Sequence, residues 1–200
     1  MPNKIILIAG QRNSGKTNTG KTLINTYYES HGENNKILIV DTVDHEQYRH
    51  IPSIEPHFVK AWKSNIGVYR CFTSAPQGED IDFSLKILTS KSAAGVLYFN
   101  NGLFVIEDAT KLTTDRLKPY LLNFLADSKQ FNVDIIFMYH GFGFIPRRLW
   151  KFADMVVIHK TVENFGQIKG NIPAAGLIEP AFKTVQANKN QYYSQTVKLT

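Results

Sequence analysis

An open, mostly parallel α/β sheet flanked by helices is the architecture this sequence predicts. Three observations carry it. Short, largely apolar runs recur along the chain (I-I-L-I-A at 5–9, K-I-L-I-V-D at 36–41, L-F-V-I-E-D at 103–108) and read as strands buried on both faces, as in parallel sheets. Helix-forming stretches alternate with them, which is the rhythm of βαβ units. The first run also feeds directly into a glycine-containing turn that opens a helix. Two hundred residues with 43% hydrophobic content suit a single domain over residues 1–200.

The strand at 5–9 leads into residues 10–17, G-Q-R-N-S-G-K-T, which fit G-x-x-x-x-G-K-[ST]. Strand, loop and helix in this order make the phosphate-binding element of a P-loop NTPase. Backbone N–H groups must curl around a polyphosphate, and a side chain at Gly10 or Gly15 would obstruct them. Gly10, Asn13, Ser14, Gly15, Lys16, Thr17 and Asn18 are therefore the nucleotide-contacting candidates. Lys16 reaches the β- and γ-phosphates of ATP as a point charge, and Thr17 offers its hydroxyl to Mg²⁺. The positive end of the following helix adds favourable potential. That helix is expected over 16–30, with Leu23, Ile24 and Tyr27 at helical spacing and His31-Gly32 as its stop signal. A second strand over 36–41 ends in Asp41 at the ligand edge. Residues 42–65 hold Pro52, Pro56, three histidines and Trp62, and predict loops with a short helix at 59–63. A third strand at 66–72, a turn-rich stretch at 74–80 and a helix at 81–90 follow.

Asn100-Asn101-Gly102 lies between V-L-Y-F and L-F-V-I-E-D, and predicts a hairpin whose second arm is a core strand. Beyond it come a helix at 117–128 with Leu121, Leu122 and Leu125 inward, a strand at 134–139, a short helix at 147–152 and a strand at 155–159. The tail, 181–185 and 192–199 around A-N-K-N-Q, resembles a C-terminal β-hairpin. Ligands of such sheets bind at the carboxyl ends of the strands. Gly10, Asp41, Glu107, Asp108 and His140 all fall at or just past strand ends, so distant segments should converge on one edge. Glu107 and Asp108 can divide two tasks there: holding Mg²⁺ through its water shell, and accepting a proton from an attacking water.

Bulk properties narrow the classes. The single cysteine, Cys71, excludes an intramolecular disulfide and gives a zinc knuckle no partner, which fits a reducing compartment. No apolar stretch reaches bilayer length and the first strand begins too early for a secretory signal, so a soluble, cytoplasmic chain without a membrane span is expected. Of the net charge of +6, five arise within residues 147–200, where eight lysines and arginines face three carboxylates. Such a surface either meets a phosphate backbone or is simply solvated; no aromatic-basic interleaving marks it. His45, His50 and His57 with Asp41, Asp44 and Glu46 lack paired spacing on a clear helix, so no metal beyond Mg²⁺ is expected. Trp62 and Trp150 read as core or subunit interface. Gly141-Phe-Gly-Phe is either a flexible loop coupling nucleotide state to DNA grip or a tight turn.

The order of phosphate loop, acidic strand, a strand ending M-Y-H at 138–140, and I-P-R-R-L-W-K-F-A-D-M-V-V-I at 145–158 resembles the FtsK-HerA superfamily of DNA-pumping ATPases. In length and in its closing Q-Y-Y-S-Q-T-V-K-L, the chain is most similar to the compact genome-packaging ATPases of tailless, membrane-containing double jelly-roll viruses. The resemblance covers most of the chain and is thin over 42–95. It implies an ATP-hydrolysing translocase that works as a homo-oligomeric ring on double- or single-stranded DNA without sequence specificity. It further implies loading of a preformed capsid, contacts with capsid vertex proteins, and a place in the host cytoplasm or with the virion. Under this resemblance Lys16 and Thr17 take the phosphate and Mg²⁺ roles. Glu107 and Asp108 fall on the family's Asp-Glu pair in reversed order, which puts Glu107 on the metal side and Asp108 on the water. His140 falls on a glutamine that senses the γ-phosphate, and a neutral imidazole can likewise donate one hydrogen bond. Lys129 matches the basic finger that reaches into a neighbouring subunit's site, without arginine's planar fork. Arg147 and Arg148 are rival fingers, and with Lys151 they are the DNA-contact candidates. Three other readings stay open: a Zot-like phage-assembly ATPase, ordinarily membrane-anchored; a small-molecule P-loop kinase, which should carry an arginine-rich lid; and a nucleotide-dependent switch, which the reversed carboxylates permit.

Overall fold

Side chains alternating along parallel strands divide the hydrophobic core of this protein in two. The computed structural model describes residues 3–32, 35–62, 66–72, 78–111 and 117–199. Along the chain run β1 (Ile5–Ala9), α1 (Lys16–His31), β2 (Lys36–Asp41), α2 (Phe58–Ala61), β3 (Gly67–Phe72), α3 (Gly78–Leu88), β4 (Gly102–Glu107), α4 (Pro119–Ser128), β5 (Val133–Tyr139), β6 (Met155–Ile158), α5 (Phe165–Ile168), α6 (Ala175–Ala187) and β7 (Gln195–Lys198). The seven strands form one sheet in the order β3-β2-β4-β5-β1-β6-β7. Strands β1 to β6 pair in parallel, and β7 lies antiparallel to β6.

On one face Leu7, Val40, Ile106 and Phe137 pack with Leu85, Leu121, Phe124 and Phe182 of α3, α4 and α6. On the other, Ile8, Ile39, Val105 and Met138 pack with Ile24 and Tyr27 of α1. Both faces are covered, which is why these strands need continuous apolar runs rather than alternation with polar residues. The inner stripe of α1 is Lys16, Gly20, Ile24 and Tyr27. A β-carbon on Gly20 would collide with the Met138 side chain, so glycine lets α1 lie close on β5. This seating sets the height of the loop that opens α1.

Most expected elements are found within a few residues of their predicted bounds, and four differ in kind or extent. Residues 96–99 are no hairpin arm: Lys91 and Leu97 make one isolated bridge, and Phe99 is buried with its ring 5.8 Å from Trp62 and 5.3 Å from Phe104. The physical reason is that both edges of β4 are already taken, by β2 and β5. The Asn101 amide instead reaches the Phe131 carbonyl, 2.9 Å away. At the C-terminus the antiparallel pair exists, but its first arm is β6, because residues 181–185 lie within α6. That helix buries Ile178, Phe182 and Val185 at helical intervals, a period that five residues cannot display. The helix expected at 147–152 is a 3₁₀ turn, Leu149–Lys151. Of the turn-rich stretch at 74–80, residues 74–77 lie outside the described residues and 78–80 already belong to α3.

Candidate functional site

Ala9 at the end of β1 lies level with Tyr139 of β5 and Ile158 of β6, so the loop after β1 emerges at the carboxyl edge of the sheet. Gly10 begins it with its N–H on the Tyr139 carbonyl at 3.2 Å. A β-carbon there would lie 2.5 Å from His159 Cβ and 2.9 Å from the Lys160 carbonyl, which leaves glycine as the residue that fits. Asn13 and Gly15 take left-handed conformations, φ 59° and 93°, turning the chain back over itself before α1. Within the loop the Lys16 ammonium donates to the Gln11 carbonyl at 2.6 Å and the Ser14 hydroxyl to the same oxygen at 2.8 Å. Burial lowers the Lys16 pKa, against the opposing charges of Glu107 and Asp108.

His159 braces the loop from behind. Its Nδ1 is 2.8 Å from the Ser14 carbonyl and its Nε2 is 3.0 Å from Thr19 Oγ1. A carbonyl only accepts, so Nδ1 carries the proton and the neutral ring can accept from Thr19 at Nε2. Burial holds the His159 pKa down, and the nearby Lys16 charge acts in the same direction.

β4 delivers the carboxylates. Thr17 Oγ1 donates to Glu107 Oε1 at 3.0 Å, joining the loop to the acidic strand end. Glu107 Oε2 is buried without a hydrogen-bond partner among the described residues. A hydroxyl oxygen beside a carboxylate with an unsatisfied oxygen is the donor set of a hard divalent cation, and so fits magnesium. Burial raises the Glu107 carboxyl above its usual range, opposed by His45, Thr17 and Lys16. Asp108, left-handed at φ 51°, turns to His140, whose Nε2 lies 3.1 Å from Asp108 Oδ1. The His140 amide is in turn held by Thr110 Oγ1 at 3.1 Å.

A buried network behind β2 completes this wall. Asp41 accepts from the His45 and Arg70 side chains, at 2.7 and 2.9 Å, and from the amides of Val43 and His45. Burial alone would raise the Asp41 carboxyl; the hydrogen bonds from His45 and Val43, with the His45 and Arg70 charges, bring it below its ordinary value. The Asp41 hydrogen bond raises the pKa of His45 in spite of burial. His45 Nε2 faces Glu107 Oε1 at 3.7 Å.

Two adjoining cavities open above these groups. One, of about 380 Å³, is lined by Arg12, His45, Glu107, Asp108 and His140, among others. The second, of about 450 Å³, runs over Gly15 and Asn18 to Gln191 and Tyr192. Asn13, Lys16, Thr17 and Gln47 border both. The structure thus brings the loop candidates Gly10, Asn13, Ser14, Gly15, Lys16, Thr17 and Asn18 together with Glu107, Asp108 and His140. It does not bring Lys129, Arg147, Arg148 or Lys151 to them. Lys129 follows α4 at the opposite edge, where its ammonium is 3.4 Å from Asp154, a residue that also caps the first amide of β1 at 2.8 Å. It cannot serve the site of its own chain. Arg147, Arg148 and Lys151 are exposed and unpaired among the described residues.

Sequence reading passed over Arg12, His45, Gln47, His159, Gln191 and Tyr192 as site residues. Arg12 stood at a variable position of the motif, and His159 directly follows a strand, as His140 does; those signals were available. Gln191 and Tyr192 arrive from a polar tail with no pattern that ties them to the loop.

No protein-family model matches the sequence, and no curated protein does. Among solved structures, the chain is similar to the genome packaging NTPase B204 of Sulfolobus turreted icosahedral virus 2 in complex with AMP (TM-score 0.71, 16% identity, covering 98% of this chain and 93% of that one). It is likewise similar to B204, the DNA-packaging ATPase of Sulfolobus turreted icosahedral virus (TM-score 0.70, 17% identity, 99% and 93%). A weaker likeness is to the N-terminal domain of zonular occludens toxin from Neisseria meningitidis (TM-score 0.50, 14% identity, 82% and 78%). At these identities the likeness is one of fold, and it spans nearly the whole of both chains in the packaging NTPases.

Proposed function

We propose that this protein is an ATPase that drives DNA translocation, packaging a genome into a preformed capsid as a homo-oligomeric ring in the host cytoplasm. The observation that carries the nucleotide half of the reading is the 3.0 Å contact between Thr17 Oγ1 and Glu107 Oε1, which joins the phosphate loop to a buried acidic strand end. The translocation half rests on the fold likeness to packaging NTPases. In this reading the loop amides and Lys16 bind the β- and γ-phosphates, and Lys16 exchanges its Gln11 carbonyl for phosphate oxygens. Thr17 and Glu107 would hold Mg²⁺, which, when bound, offsets charge on the phosphates. Asp108 accepts the proton of the attacking water. His140 Nε2 lies 3.1 Å from Asp108 Oδ1, close enough for the imidazole to serve either the carboxylate or an incoming γ-phosphate. In this reading His140 senses the γ-phosphate by turning a ring nitrogen to it, beside the carboxylate that accepts the proton. Arg12 adds positive charge on the transferring group from the chain's own loop, while Lys129 acts only on a neighbour's site. Arg147, Arg148 and Lys151 contact the DNA backbone, which carries little sequence information.

The kinase reading has no comparable support, since Arg147 and Arg148 lie outside the site and form no lid over the phosphates. Phosphate release from ATP, with and without double-stranded DNA across a protein concentration series, tests the proposal. Turnover should rise with DNA and steeply with protein concentration, and Lys16→Ala should abolish it while the thermal melt is unchanged. A constant specific rate indifferent to DNA would favour a kinase or switch instead.

A further inference from the structure

We propose that the second cavity is a base-stacking subsite, in which Tyr192 carries the base of a nucleoside triphosphate and selects an aromatic ring rather than a particular base. The inference rests on the nucleotide-binding reading and extends it to the substrate class. Tyr192 is 58% exposed, a large aromatic surface left in water at the rim of a cavity that continues from the phosphate loop. Its ring lies against the loop: Cδ1 would be 3.4 Å from a β-carbon placed on Gly15. The ring is positioned by backbone rather than by core packing. Asn188 Oδ1 accepts the Asn190 amide and Asn190 Oδ1 the Tyr192 amide, each at 2.9 Å. β7, paired with β6, then fastens the following residues to the sheet.

The cavity, about 450 Å³, falls within the usual range for small-ligand sites. Besides Lys16 and Thr17 its polar lining is made of amides, Asn13, Asn18, Gln47 and Gln191, with the Tyr192 hydroxyl, and among the described residues no carboxylate lines it. A primary amide both donates and accepts, so it can turn to suit either purine or either pyrimidine edge. Stacking is similarly indifferent, because every base has a π-face. A subsite built this way holds the base and tolerates its identity.

The test compares wild type, Tyr192→Ala and Tyr192→Phe for hydrolysis of ATP, GTP and CTP, and for binding of inorganic tripolyphosphate by calorimetry. Tyr192→Ala should raise the KM for ATP about tenfold or more, leave kcat within about twofold, and leave tripolyphosphate affinity unchanged; Tyr192→Phe should behave as wild type. Wild-type KM values for the three nucleotides should lie within severalfold of one another. An unchanged KM in Tyr192→Ala overturns the proposal. So does an equal loss of tripolyphosphate binding, since Tyr192 would then shape the loop, or a strong wild-type preference for one base. If wild type binds tripolyphosphate but no nucleotide better, only the base subsite fails; if it binds neither, the nucleotide-binding reading fails with it.

Discussion

Two adjacent carboxylates end in different surroundings because Glu107 is the last residue of β4 and Asp108, just past the strand, turns left-handed. Glu107 goes inward to Thr17 and faces His45, while the left-handed turn at Asp108 sends the next carboxyl to His140. The buried, acceptor-rich position suits a metal, and the one beside an imidazole suits a base. Asp108→Asn keeps the shape and loses the basicity, so it should bind ATP with near-normal affinity while hydrolysis falls about a hundredfold or more. Equilibrium binding and phosphate release on the same preparation check this. Equal turnover in the variant would transfer the base role to Glu107.

The segment leaving β5 is held by a neighbouring loop. Glu163 accepts the Phe142 and Gly143 amides, each at 2.7 Å, and the Thr161 hydroxyl at 3.0 Å. Side chains at Gly141 or Gly143 would press on the same carboxylate, with β-carbons 2.7 and 3.0 Å from its Oε1. Gly141-Phe-Gly-Phe is therefore a pinned turn, with Phe142 buried against Trp150 and Phe182. It begins one residue past His140, so the clamp also sets where that imidazole sits. Glu163→Ala leaves two amides without their acceptor, at a cost of about 1–3 kcal/mol. It should lower kcat severalfold with little change in the KM for ATP, and a thermal melt would register the stability loss independently.

Across the whole molecule, the edge opposite the candidate site carries a buried charge. Lys36 opens β2 only 1% exposed, with its ammonium 4.9 Å from the Trp62 ring centre and 5.3 Å from that of Phe99. Burial lowers its pKa to about 8 from 10.5. Below pH 8 the lysine is charged in folded and unfolded chains alike, and the full penalty of burying that charge is present. Between pH 8 and 10.5 the folded chain has released the proton while the unfolded chain still binds it, so this group makes the fold more stable as pH rises. Lys36→Met, of similar volume and without charge, should raise the melting temperature at pH 7, and the gain should shrink by pH 10. A gain independent of pH would mean that the ammonium is solvated rather than buried.

What the sequence determined is what depends on neighbours along the chain. β1, β2 and β4 were legible as uninterrupted apolar runs, and the loop of residues 10–17 was legible because its glycine positions and spacing encode a local backbone path. The clustering of Gly10, Asp41, Glu107, Asp108 and His140 followed from the rule that parallel strands end on one edge, and the structure places them together there. Tertiary structure decided what depends on occupied edges and on segments far apart in sequence. Residues 96–99 carry strand-forming side chains, yet β4 had no free edge to offer them. Five residues of α6 read as strand until eight more supplied the helical period. His45 reaches Glu107 only because Asp41, itself held by Arg70, fixes it at the end of β2 beside β4, and His159 meets Ser14 only because β6 pairs with β1. Tyr192 stands over Gly15 because β7, antiparallel to β6, starts at that edge with Gln195 level with Ile158, a long-range closure that no local spacing records.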